Sequence, residues 1–199
     1  NAPETKDNDF TWKEFQMRNN SELVAIFGNF INRVMVLSHK YYEGKVPPSG
    51  EWNEEDLAAL KSLQQFPSIM EMEIEHYRFR AYSQEVMNLA RLGNKYLADQ
   101  EPWKWIKTDP KRVETVMNTA LQIAAGLSIL CEPLLPFTAQ KLKDMLQLEA
   151  TWEDVSRNVP LLTAGHPLNQ PQLLFEKIEE EAILKQLEKL KTNQSHENK

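Results

Sequence analysis

From Glu22 to Leu37 the apolar residues Leu23, Ile26, Phe27, Phe30, Ile31 and Val34 recur at three- and four-residue spacing. That is the period of a helix with one buried face. Asn20 or Ser21 is the expected cap, Glu22 supplies an acid for the first turn, and the helix should run to about Tyr42. The stretch before it, Asn1 to Trp12, alternates only partly in DFTWKEF and reads as a strand or linker end. EGKVPPSG is a break. Asn53 with Asp56 three residues on forms a capping pair for a helix carrying Leu57, Leu60 and Leu63. Pro67 interrupts or kinks that pattern. Helical phasing then returns from Ser68 to Leu97 through Ile69, Met72, Ile74, Tyr77, Phe79, Val86, Leu89 and Ala90. LADQEPWKWIK breaks the chain again, with Asp99 or Gln100 near a cap and Pro102 in a first turn. TDPKR repeats the device with Thr108 or Asp109 before Pro110. A strongly apolar helix should span Val113 to Leu130, and another Leu134 or Pro136 to about Leu148, separated by Pro133. Trp152 to Gln172 reads as irregular. Lys177 to Lys191 reads as a last helix, and NQSHENK as a frayed tail. The sum is an all-α chain, five or more antiparallel helices in a bundle.

Composition agrees with that pattern. Of 199 residues 41% are apolar and only six are Gly, so a sizeable core is available and the glycine punctuation of many strands is missing. The single cysteine, Cys131, excludes an internal disulfide framework and a cysteine metal cluster. It sits in the apolar run AAGLSILCEP and reads as a small buried hydrophobe, which suits a reducing, cytoplasmic compartment. NAPETKDNDF has no apolar stretch, so neither a leader nor a membrane span is expected. The net charge of −6 argues against a general nucleic-acid coat, but it is unevenly spread. Glu51 to Glu75 holds seven acids and one lysine, whereas His76 to Arg112 holds eight Lys/Arg and four acids. A basic region beside an acidic one steers a polyanion to one face.

Recognisable catalytic chemistry is sparse. HExxH, a phosphate-binding glycine loop and GxSxG are all missing. His39, His76, His166 and His196 are scattered and read as surface or cap residues. EIEH, Glu73 to His76, has the carboxylate-x-x-His spacing of a diiron bundle, but only once. Acid pairs such as Glu71/Glu75 and Glu176/Glu180 read as solvated helix faces. Two features remain. Asn29 and Arg33 are four apart on an otherwise apolar helix and point the same way. They are either ordinary surface groups or an amide and guanidinium that complement a base edge or a phosphate. Gly28 beside them permits close approach of a neighbouring helix. In EPWKWIK, Trp103 and Trp105 are two apart and face different directions on a helix. One is expected to pack at the corner between helices. An outward indole beside Lys104, Lys107 and Arg112 has the makeup of a stacking platform for an unpaired base.

Together these segments resemble the anticodon-binding domain of bacterial methionyl-tRNA synthetases, within the class I aminoacyl-tRNA synthetases. The resemblance is carried by NNSELVAIFGNFINR, EPWKWIK and LSILCEPLLPFTAQKL in that order, with TWEDV, GHPLN and PQLLFEKIE near the end, and covers roughly Pro3 to Leu190. It implies a helical bundle of the class Ia anticodon-binding type, with 1–18 as the link from an upstream catalytic region, 19–191 as the bundle and 192–199 as a disordered tail. It further implies that the domain reads the CAU anticodon of initiator and elongator methionine tRNA. Asn29 and Arg33 would hydrogen-bond the first anticodon base, and Trp103 would stack on it; Trp105, variable in the family, is assigned to packing. Lys104, Lys107 and Arg112 are candidate phosphate contacts on charge alone. The HIGH-like and KMSKS-like signatures and the zinc-binding cysteines of the family are missing. The resemblance therefore implies a non-catalytic chain without cofactor or metal, partnered by its own catalytic domain in a larger methionine-tRNA ligase that carries ATP and, in many members, zinc. Two other readings stay open at this point: the anticodon domain of another class I synthetase, and a helical protein-interaction module with an exposed tryptophan.

Overall fold

The opening helix starts earlier than periodicity suggests. In the computed structural model, which describes residues 9–157 and 160–197, Thr11 is the cap and its side-chain oxygen accepts the Glu14 N–H at 3.1 Å. Helix α1, Trp12–Arg18, passes directly into a π-helical segment, Asn19–Gly28, and then into α2, Asn29–Tyr42. Asn20 and Ser21 are therefore interior residues and not caps. The Asn20 amide clamps a distant strap instead: it donates to the Ile178 carbonyl and accepts the Ile178 N–H, both at 2.8 Å. Gln16 and Asn19 add bonds to the carbonyls of Ile178 and Glu176, both at 3.0 Å. Polar side chains that look like a helix start thus serve to hold the C-terminal strap, and Phe175 of that strap meets Phe27 edge-on at 5.3 Å. The neighbour at Gly28 is that same Phe175, whose ring would lie 3.4 Å from an added Cβ; no helix packs there.

The Asn53–Asp56 capping box is formed as expected and opens α3, Glu54–Glu75. Pro67 lies inside α3, buried, and the helix continues past it. The break comes later. Tyr77 adopts a left-handed φ of 57°. Its N–H reaches the Ile74 carbonyl at 3.0 Å, and the Arg78 N–H reaches the Glu73 carbonyl at 2.9 Å. This is the Schellman pair of bonds that satisfies the last carbonyls of a helix, built with tyrosine where glycine is usual. The expected continuous segment from Ser68 to Leu97 is therefore split, and α4 spans Phe79–Gln100. Glu101 repeats the left-handed exit with φ 43° and is the cap of the short α5, Pro102–Trp105; Asp99 and Gln100 belong to α4.

Asp109 caps α6, Pro110–Leu130, by accepting the Arg112 N–H, with Pro110 in the first position as predicted. From Thr115 to Leu130 every residue of α6 is buried. A helix apolar on all sides belongs at a centre, and α6 packs against α2, α3, α4 and α5. It also packs against α7, Pro136–Leu146, and α8, Trp152–Ser156. Among the described residues α6 alone is long and apolar enough to cross a membrane; here it is the core of the bundle. Its polar side chains pin loops. Asn118 donates to the Pro47 carbonyl at 2.8 Å, and Gln122 joins the backbone of Leu161 and Leu162. The short α8, closed by a Thr151–Asp154 capping box, lies in a stretch expected to be irregular. α9, Glu180–Glu197, begins three residues later than predicted and extends into the expected tail.

Candidate nucleic-acid interface

Asn29 is the first residue of α2, directly after the π-helical segment. Its N–H still reaches back five residues to the Val24 carbonyl. Such wide turns occur where a helix is bent to function. Asn29 is exposed, and Arg33 is half-buried one turn further on the same face. The turn that carries Trp103 follows the C-terminal end of α4 and lands on this face. The Arg33 Cζ lies 4.7 Å from the centre of the Trp103 ring, within cation–π range. Asn29, Arg33 and Trp103 are thus brought to one patch, from positions seventy residues apart in the chain.

Close packing between α2 and α4 makes this approach work. A Cβ on Gly93 would fall 2.2 Å from Cζ of Phe30, a ring with no solvent exposure. The residue before Phe30 then meets the residue after Gly93: Asn29 stands beside Asn94 at 3.4 Å, amide to amide. Neither Gly93 nor Asn94 stands out in the sequence. A glycine inside a helical pattern is the one local hint of a close approach.

Trp103 is 37% exposed and Trp105 50% exposed, so the assignment of Trp105 to packing does not hold. The corner is anchored instead by Pro102, which is buried, and by Ile106, which packs on the core. Lys104 is exposed and paired with Glu101 at 2.7 Å, and Lys107 is exposed. Arg112, a candidate phosphate contact, is engaged inside the protein. Its guanidinium grips the fully buried Asp56 carboxylate with both terminal nitrogens, Nη2 to Oδ1 at 2.9 Å, and Nη2 also reaches Gln100 Oε1 at 2.5 Å. Tyr96 Oη adds a bond to Asp56 Oδ1 at 2.5 Å. Burial pushes the Asp56 carboxyl up, but the bonds from Arg112, Tyr96 and the Asn53 N–H outweigh it and hold the group below the usual carboxylate range. Burial, and then the bond to this carboxylate, push the Tyr96 hydroxyl upward. A residue chosen for its charge is thus internal structure, because a buried acid fifty-six positions away claims it.

Other candidates from the sequence fall away in the same manner. Glu73 pairs with Arg78 at 2.7 Å, and His76 Nδ1 sits 2.7 Å from the Met72 carbonyl, so EIEH is a helix end. Among the described residues no three His, Cys, Asp or Glu side chains converge as metal ligands. His39 and His166 each bond a backbone carbonyl, at 2.9 and 2.8 Å. The side chain of His196 lies outside the described residues.

Comparison with known proteins places this patch in context. Residues 46–195 match the family model of the anticodon binding domain of methionyl tRNA ligase, and residues 1–35 match that of class I tRNA synthetases (M). The methionine–tRNA ligase of Flavobacterium psychrophilum is 58% identical, over 100% of this chain and 30% of its own length. That of Christiangramia forsetii is 56% identical over 98% of this chain and 29% of its own. The chain therefore spans less than a third of these relatives. Among solved structures, the apo form of Mycobacterium tuberculosis methionyl-tRNA synthetase superposes with a TM-score of 0.78 over 85% of this chain and 35% of that one, at 22% identity, a likeness of fold. The same enzyme in complex with methionyl-adenylate gives 0.75 over 85% and 34%, at 25% identity.

Proposed function

Because this chain belongs to the family of anticodon-binding domains of methionyl-tRNA ligases, we propose that it reads the first base of a CAU anticodon with Asn29, Arg33 and Trp103. The observation that carries the reading is the Arg33 guanidinium lying 4.7 Å over the Trp103 ring, on the same face as Asn29. A flipped-out base stacks on that indole. Base–aromatic stacking contributes about 1–3 kcal/mol, and a cation–π contact about 0.5–2 kcal/mol depending on its exposure. A base stacking on the ring competes with Arg33 for it, and the base edge offers the guanidinium acceptors in exchange. The guanidinium, a donor only, then turns to those acceptors. Cytosine offers O2 and N3 as acceptors and its amino group as a donor. Arg33 and the Asn29 amide complement that set. Lys104 and Lys107 supply positive charge for the flanking phosphates.

The rest of the proposal is supported by membership of the family. The full-length protein is a cytoplasmic methionine–tRNA ligase that charges initiator and elongator methionine tRNA at the expense of ATP. Docking of the loop here helps present the acceptor end there.

The test is a titration of this chain with anticodon stem-loops carrying CAU or UAU. CAU should bind more tightly, and Trp103→Ala should weaken it by about 1–3 kcal/mol. Binding should fall steeply with salt. Equal affinity for both loops would leave only a generic RNA surface.

A further inference from the structure

We infer that Asn94 is a positioning residue that decides which end of the Asn29 amide faces the RNA, and thereby makes the site select cytosine over uracil. The inference rests on the anticodon reading above and adds a residue to it. It begins with groups whose polarity is beyond choice. A backbone carbonyl can only accept. Asn94 Nδ2 lies 2.6 Å from the Ile26 carbonyl and 3.5 Å from the Ala90 carbonyl. Both place the amino end of Asn94 against backbone. Its Oδ1 is therefore turned to Asn29, where it accepts from Nδ2 at 3.4 Å. Asn29 Oδ1 is then left as the outward group, an acceptor.

That acceptor suits the amino group of cytosine. Uracil would bring its own carbonyl oxygen to the same place. Turning the Asn29 amide to suit uracil sets its Oδ1 against Asn94 Oδ1. Turning Asn94 as well sets an oxygen against two backbone carbonyls. The choice of base is thus tied, through two amides, to the backbone of the π-helical segment and of α4. The Gly93–Phe30 contact keeps the pair in register, because α2 and α4 cannot slide apart there without opening a buried ring.

Two variants separate this role from mere packing. Asn94→Leu keeps the volume and removes the polarity. Asn94→Asp keeps the shape but sets a charged oxygen against the Ile26 and Ala90 carbonyls. Each is compared with the unaltered chain by titration with CAU and UAU stem-loops, and in free form by the side-chain amide resonances of Asn29 in 15N-labelled protein. The preference for CAU should fall about tenfold in Asn94→Leu and in Asn94→Asp alike, and in Asn94→Asp the added negative charge weakens both loops together. The Asn29 amide resonances should shift in free Asn94→Leu. Unshifted resonances would overturn the inference without reference to RNA. An undiminished CAU preference in Asn94→Leu would overturn it and leave the anticodon reading intact. An unaltered chain that does not distinguish the loops would overturn both.

Discussion

Arg112→Met is the sharpest test of how the corner around Trp103 is held. The Asp56 carboxylate accepts four bonds on its two oxygens: one from the Asn53 N–H at 3.0 Å, one from Tyr96 and two from Arg112. Four is about the full capacity of a carboxylate. The acid is wholly buried and the Arg112 side chain only 23% exposed. Removing Arg112 leaves the charge in place with half its partners. Breaking a buried pair in this way costs about 3–5 kcal/mol. Asn53 and Tyr96 remain, so we expect about 3 kcal/mol, or a fall of roughly 6–12 °C in melting temperature for a chain of this size. Urea unfolding monitored by circular dichroism measures it. The pH dependence supplies an independent sign. The folded-state pKa of Asp56 is depressed, so its contribution is fully present above the ordinary carboxylate pKa of about 4. It is lost as pH falls through the depressed value. The gap between the unaltered chain and Arg112→Met should therefore narrow below about pH 4. The double variant Asp56→Leu/Arg112→Met should be more stable than Arg112→Met alone, because it removes the stranded charge. A loss below about 1 kcal/mol, the range of a surface pair, would refute this account. So would a gap that does not change with acid. A phosphate contact would behave differently, with little loss of stability and a salt slope reduced by about one.

Two further outcomes follow from packing. Gly93→Ala gains about 1 kcal/mol of helix propensity but forces a methyl into the buried Phe30 ring at a cost of about 1–3 kcal/mol; the expected net loss is visible in a urea midpoint, and a stabilised variant would show that α2 and α4 can separate. Burial pushes the Cys131 thiol up to about 12, so an aromatic disulfide reagent at neutral or mildly alkaline pH should label it only after unfolding, and prompt labelling of the native chain would contradict its buried placement.

Several elements of this protein are legible without coordinates, and they share a cause. The Asn53–Asp56 box, the Asp109–Pro110 start of α6 and the apolar run of α6 are local matters, in which residues within one or two turns satisfy one another. The common face of Asn29 and Arg33 follows from the helical period alone. What the sequence hides depends on partners far along the chain. Helix ends at Tyr77 and Glu101 use left-handed residues other than glycine, so no punctuation announces them. Asn20 looks like a cap and is a clamp, because Ile178 lies against it. Arg112 looks like a phosphate ligand, and Trp105 like a packing residue. The buried Asp56 takes the first, and Pro102 with Ile106 takes the place expected of the second. Asn94 carries no local signal at all. Charge, amide and indole side chains can each serve several purposes, and the chain far away that folds against them decides which one is realised. Tertiary structure alone therefore gathers Asn29, Arg33 and Trp103 at one place and removes Arg112 from it.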